Sequence, residues 1–245
     1  MFPSQIQSLT LLSQRQGTLF FLAKDPSRSY YLKCAKRDTQ EIRQAYSDEY
    51  TVMSALLHPS IPLYYGYQPD FCPSAYLYDF NYGQSYPCLC MEYCQGTPLF
   101  ELDCLKKEDL LTVLSKLSKL LCYLLDHGVL YLDLNPSNIL VAEDLSLTLL
   151  DYSFCYYFIQ NPDPSYNLGF SYDLQMDLPG RQLLAQELSF FAHDLINHYG
   201  ITDIPSSLYV LLESGLHPND AMTIESLSEA LKNITNLASS SDPTE

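Results

Sequence analysis

The sequence predicts an α+β chain of two lobes, a small antiparallel sheet with one helix followed by a mainly helical second half. Three observations carry this. Short runs of β-type residues crowd the chain up to Met91. A helical spacing interrupts them once, between Asp38 and Leu57. From Lys106 onward, long stretches with apolar residues every three to four positions dominate.

The elements follow in order. Leu9–Leu12, Thr18–Lys24 and Tyr30–Ala35 read as strands, separated by polar Ser13–Gly17 and by the turn-type cluster Asp25–Ser29 with Pro26. Asp38–Leu57 has helical spacing, with Ile42, Ala45, Tyr46, Tyr50, Met53 and Leu57 on one side. His58–Pro59 stops it, because the residue before Pro avoids the helical region. Leu63–Gln68 and Tyr86–Met91 are further strands around a Tyr/Pro/Asn-rich loop, Pro69–Ser85. Gly96–Pro98 is a break. Lys106–His127 is a helix with Leu110, Leu114, Leu117, Leu121 and Leu125 on one face and Gly128 as its stop. Val129–Tyr131, Ile139–Val141 and Leu147–Leu150 are short strands, and Gln160–Leu168 is loop-like. Arg181–His198, Ser206–Glu213 and Thr223–Leu237 are helices, and Ala238–Glu245 is a polar tail. The lobes are then residues 1–95 and 96–238, with 239–245 disordered. They join near Glu92–Gly96, and such junctions favour ligands.

Composition narrows the function. Apolar residues at 47% and charged residues at 17% mark a folded chain. A formal charge of −16 with 13 basic residues argues against nucleic acid and against an anionic membrane surface. No run of apolar residues is long enough to span a bilayer and Met1–Gln16 lacks a signal-peptide pattern, which places the chain in the cytoplasm, or on the cytosolic side of a membrane if an anchor follows Glu245. The eight cysteines form no Cys-x-x-Cys pair. Cys88 and Cys90 alternate on one strand face and read as buried reduced thiols, with zinc the alternative.

The stretch Tyr131-Leu132-Asp133-Leu134-Asn135-Pro136-Ser137-Asn138-Ile139-Leu140-Val141 carries the chemistry. Asp133 and Asn138 lie on a Pro-containing loop between two short strands, and Asp151 closes another apolar strand 13 residues after Asn138. Phosphoryl transfer needs these parts: a carboxylate to orient the nucleophile, and oxygen ligands to hold Mg²⁺ on the phosphates.

These residues resemble the protein kinase family, closest to the short bacterial Ser/Thr type. YLDLNPSNILV follows the family's H-R-D-L-K-P-x-N-I-L-V. Lys33 in YYLK stands at the ATP-phosphate lysine, and Glu49 in EYTVMSALLHPSIP at its helix partner. CLCMEYCQG matches the segment between lobes, with Met91 as gatekeeper and Glu92–Cys94 facing adenine. LLDYSF matches the metal-aspartate motif. The resemblance, running from Leu9 to Leu237, implies a two-lobed kinase fold using ATP and Mg²⁺ on a protein substrate or partner. Asp133, Lys33 and Glu49 would be catalytic, and Asn138 and Asp151 would hold metal. Gly17, Leu19, Tyr31, Lys33, Met91, Glu92, Cys94 and Leu140 would line the nucleotide.

The sequence also departs from the pattern. The phosphate-covering loop keeps one glycine, Gly17, with Leu12 and Gln14 in the other places. Tyr31 replaces the small residue that, with the position of Leu19, roofs adenine. Leu132 replaces an Arg that pairs with a phosphorylated segment, and Asn135 a Lys that steadies the phosphoryl group. Tyr152 and Ser153 replace Phe and Gly after the metal aspartate. The A-P-E glutamate is absent and Ala221 stands at its arginine partner's place, so both halves of a buried ion pair are missing together. Two functions from different classes stay open: a Mg·ATP phosphotransferase of Ser/Thr kinase type, and an inactive pseudokinase acting as a binding or scaffold module. A small-molecule kinase is a third, against which HPSIP and MEYCQG speak.

Overall fold

Strands β1 (Ser8–Arg15), β2 (Thr18–Lys24), β3 (Ser29–Ala35), β4 (Tyr64–Phe71) and β5 (Tyr86–Glu92) form an antiparallel sheet in the order β1-β2-β3-β5-β4. The structure is a computed structural model that describes residues 2–3, 5–15, 17–77, 84–153, 155–157, 180–216 and 222–240. It divides into two units, Met1–Gln95 and Gly96–Glu245.

In the first unit, strand alternation sorts the side chains to two faces. Leu19, Phe21, Ala23, Tyr30, Leu32, Cys34, Cys88 and Cys90 share one apolar core with Leu9, Phe71 and Tyr86. Burial pushes the Cys88 thiol well up and the Cys90 thiol up to about 12, so both remain protonated packing groups. Cys34, Cys72, Cys88, Cys90, Cys104 and Cys122 are free thiols. The opposite face carries Lys33.

β1 is longer than Leu9–Leu12. A register shift between Leu11 and Ser13 lets Ser13–Arg15 keep pairing with β2. Backbone pairing needs no apolar side chain at an exposed edge, and only Leu9 of β1 is buried. Gly17, at φ 78°, turns the chain into β2.

Helix α1 (Gln40–Met53) is shorter than Asp38–Leu57. The Thr39 hydroxyl caps its start by accepting from the Ile42 N–H at 3.4 Å, and Ser54 closes its end. Its buried face is Tyr46, Glu49, Val52 and Met53, whereas Leu57, expected on that face, lies past the helix and is 77% exposed. The stripe is rotated because Glu49 turns inward. β4 runs on to Phe71, into the expected loop; Pro69 is tolerated there because β4 is an edge strand.

In the second unit, helix α2 (Lys107–Asp126) buries Leu110, Leu111, Leu114, Leu117, Leu120, Leu121 and Leu124 and packs on α3 (Gly180–Tyr199) and α5 (Ile224–Ser240). α4 (Ser206–Leu216) packs on α3 and α5. α5 continues to Ser240, past the expected end at Leu237, and 241–245 lie outside the described residues.

The expected break at Gly96–Pro98 contains a two-residue strand, β6 (Thr97–Pro98), paired with β8 (Ile139–Val141), which in turn pairs with β9 (Leu147–Leu149). Gly96 permits this: at φ 151°, an added Cβ would sit 3.0 Å from Leu140 Cβ and 3.1 Å from the Val141 carbonyl. β7 (Val129–Leu130) pairs with β10 (Tyr156–Tyr157), a strand that turn-rich flanks concealed in the sequence. The loop expected at Gln160–Leu168 and the position of Ala221 lie outside the described residues. Among the described residues no helix is long and apolar enough to cross a membrane.

Candidate functional site

Lys33 sits in the middle of β3, opposite Phe20 of β2 and Leu89 of β5, and is 1% exposed. An ammonium cannot remain charged there without a partner. Glu49, one turn beyond Tyr46 on α1 and 2% exposed, supplies it: Lys33 Nζ donates to both carboxylate oxygens at 3.1 and 3.0 Å. The Tyr46 ring lies under the ammonium, 5.7 Å from Nζ to centroid, and burial holds its phenol above the usual range. The Tyr64 hydroxyl, from β4, donates to Glu49 Oε1 at 2.9 Å.

On the same sheet face Tyr31 pairs with Leu22 and Met91 and stacks on Phe20, with centroids 5.5 Å apart and planes at 23°. This corrects the expected role of Leu19. Leu19 pairs with Cys34 and belongs to the core on the other face, because neighbouring residues of a strand point to opposite sides. Phe20 and Leu22 are the β2 residues that share a face with Tyr31 and Lys33. Met91 is buried. Glu92 closes the sheet end: its N–H donates to the Leu63 carbonyl at 2.8 Å and Oε2 accepts from the Leu63 N–H at 3.2 Å. The Cys94 thiol lies 3.8 Å from the Glu92 carbonyl. Gly17 caps the strand pair, its carbonyl accepting from the Lys36 N–H at 2.7 Å.

In the second unit, hydrogen bonds join the loop carrying Asp133 and Asn138 to the one carrying Asp151. The buried Tyr131 hydroxyl donates to the Leu150 carbonyl at 3.0 Å, and the Leu150 N–H donates to the Asn138 carbonyl at 2.7 Å. Asn135 Oδ1 accepts from the Ser137 N–H at 2.9 Å and from its hydroxyl at 2.7 Å, fixing the turn Pro136–Asn138. Asn138 is buried at 6% exposure. Leu140 sits on β8 between Pro98 and Thr148. Tyr131 and Tyr152 meet edge to face at 5.4 Å, both fully buried.

Asp151 has φ 59°, a left-handed conformation costly for a residue with a Cβ. Its Oδ1 offsets part of that by accepting from Ser153, at 3.3 Å from the N–H and 2.8 Å from the hydroxyl. Burial first, and then the Asp151 charge, raises the Asp133 carboxyl above its ordinary value. On α3, Glu187 is pushed up to about 7 by burial and then by Asp133.

Tyr64, Phe20 and Glu187 are the residues that sequence reasoning missed. Tyr64 left no signal, since a tyrosine in a strand reads as packing. Glu187 did leave one: it falls between Leu184 and Phe191 on the apolar stripe of its helix. Asn138 and Asp151 offer hard oxygen donors of the kind Mg²⁺ takes. Among the described residues no three His, Cys, Asp or Glu side chains converge as a metal cage.

With this fold and these residues in place, comparison with known proteins is direct. The protein kinase domain family matches residues 17–172, and the chain belongs to that family. Flippase kinase 1 of Saccharomyces cerevisiae (strain ATCC 204508 / S288c) is 28% identical over 163 residues, 61% of this chain. The match covers 17% of that yeast protein's length.

Proposed function

We propose that this chain is a Mg·ATP-dependent phosphotransferase of the Ser/Thr protein kinase type, acting on a hydroxyl of a protein substrate. The observation that carries the reading is the buried Lys33–Glu49 pair. Taking two charges out of water is unfavourable, and an apolar pair of similar volume would be neutral or more stabilising. Folding alone therefore has no use for these charges, whereas a lysine held for nucleotide phosphate does. In this reading Lys33 engages the phosphates and Glu49 orients it. Asn138 and Asp151 hold Mg²⁺, and Asp133 orients the acceptor hydroxyl. Bound Mg²⁺ would neutralise charge developing on the phosphates.

One observation favours the second reading, a pseudokinase that binds a partner. The Tyr31–Phe20 stack fills with aromatic rings the sheet face on which Lys33 lies, where the family places a small residue over adenine. Titration with ATP, with and without Mg²⁺, followed by heat denaturation separates the two, because a ligand that binds the native state raises its melting temperature. A rise with Mg·ATP together with phosphate transfer from labelled ATP supports the enzyme. A melting temperature that nucleotide does not move overturns it in favour of the binding module.

A further inference from the structure

The Glu49 carboxylate is gripped from two strands. Lys33 on β3 donates to both oxygens, and the Tyr64 hydroxyl on β4 donates to Oε1 at 2.9 Å. Tyr64 is itself 8% exposed and pairs with Met91 of β5, so its ring has little freedom to leave. A phenol O–H to a carboxylate is a charge-assisted bond, stronger than a neutral one. It also supplies an extra hydrogen bond of the sort a buried ion pair needs before its attraction outweighs desolvation.

The consequence reaches the whole helix. α1 is 14 residues long, and an isolated helix of that length is marginal in water. It depends on docking through Tyr46, Glu49, Val52 and Met53.

We propose that Tyr64 is a positioning residue whose hydroxyl locks Glu49, and with it α1, inward, so that the Lys33–Glu49 pair stands ready before any nucleotide arrives. The consequence for phosphate binding rests on the kinase reading above; the lock itself does not. Tyr64→Phe keeps the buried ring and removes only the hydroxyl. Losing a hydrogen bond to a charged group changes an equilibrium by a factor of roughly ten to a hundred.

The first measurement is hydrogen exchange at the α1 amides, made without nucleotide. In Tyr64→Phe these amides exchange at least about tenfold faster, while those of β2 and β3 hold their wild-type rates. The acceleration is absent when Tyr64→Phe is made in a Glu49→Leu background, since the hydroxyl then has no carboxylate to hold. The second measurement is ATP kinetics. If the hydroxyl sets the competent fraction, apparent ATP affinity weakens in proportion to the loss of docked fraction that exchange reports, while kcat at saturating ATP is unchanged, because nucleotide selects the docked state. A purely structural role lowers the melting temperature and leaves KM alone.

Unchanged α1 exchange in Tyr64→Phe overturns the proposal whether or not the protein binds ATP. So does equal acceleration in the Glu49→Leu background. A KM that does not follow the docked fraction measured by exchange, in an active protein, overturns its functional half. A wild type that ignores ATP refutes the kinase reading, and the exchange result alone then decides the lock.

Discussion

Replacing Glu187 by glutamine gives a test whose size and sign both follow from the structure. Glu187 lies half-buried on the apolar stripe of α3, and its carboxyl is pushed from an ordinary 4.5 up to about 7, by burial first and then by the Asp133 charge. That difference corresponds to about 3 kcal/mol between the protonated and ionised forms. For an acid held above its unfolded value, stability is fully present at low pH and lost as pH rises. Below pH 4.5 the carboxyl is protonated in folded and unfolded chains alike and costs nothing. Between 4.5 and about 7 the unfolded chain ionises while the folded one does not, and stability falls. Above about 7 the whole loss is in place. Glu187→Gln keeps the shape and removes the titration. Urea unfolding at about pH 4.5 and pH 8 should show the variant gaining up to about 3 kcal/mol over wild type at the higher pH relative to the lower. An equal difference at both pH values would refute the reasoning, as would a variant less stable than wild type only at pH 8. The first result would mean that Glu187 titrates as it does in the unfolded chain, and the second that the fold favours its ionised form.

Lys33→Met strands the Glu49 charge in the core and should cost about 3–5 kcal/mol, while Lys33→Met with Glu49→Leu together should recover most of it; urea midpoints across the four proteins check this. Tyr31→Ala should tighten ATP binding measured by calorimetry, and Phe20→Leu should act in the same direction because the two rings stack. Tyr31 is half-buried and stacked on Phe20, so Tyr31→Ala also lowers stability, and affinity is read where both proteins are folded. Asp151→Asn should weaken Mg-dependent nucleotide binding, a neutral amide being the poorer ligand for a hard cation, and Asp133→Asn should leave binding intact and lower turnover. Equilibrium binding and labelled-phosphate transfer on both variants separate these effects.

Much of this protein was legible before any coordinates. Period-2 and period-3.6 spacing depends only on local backbone geometry, so Thr18–Lys24 and Ile139–Val141 were placed to the residue and α2 to within one. The spacing of Lys33, Glu49, Asp133, Asn138 and Asp151 was equally readable, and with it the family, because those residues recur at fixed offsets along the chain.

What the sequence withheld was everything decided by neighbours distant in the chain. Which sheet face Leu19 joins depends on register across β2 and β3, and a one-residue difference exchanges it with Phe20. The face that α1 buries was misjudged because a carboxylate counts as polar in any periodicity. It turns inward only when an ammonium from β3 and a phenol from β4 stand ready to receive it. Tyr64, 15 residues from Glu49 in the chain, and Glu187, far beyond Asp133, acquire their roles by the same route. A buried charge is stable or costly according to what surrounds it, and tertiary structure alone supplies the surroundings.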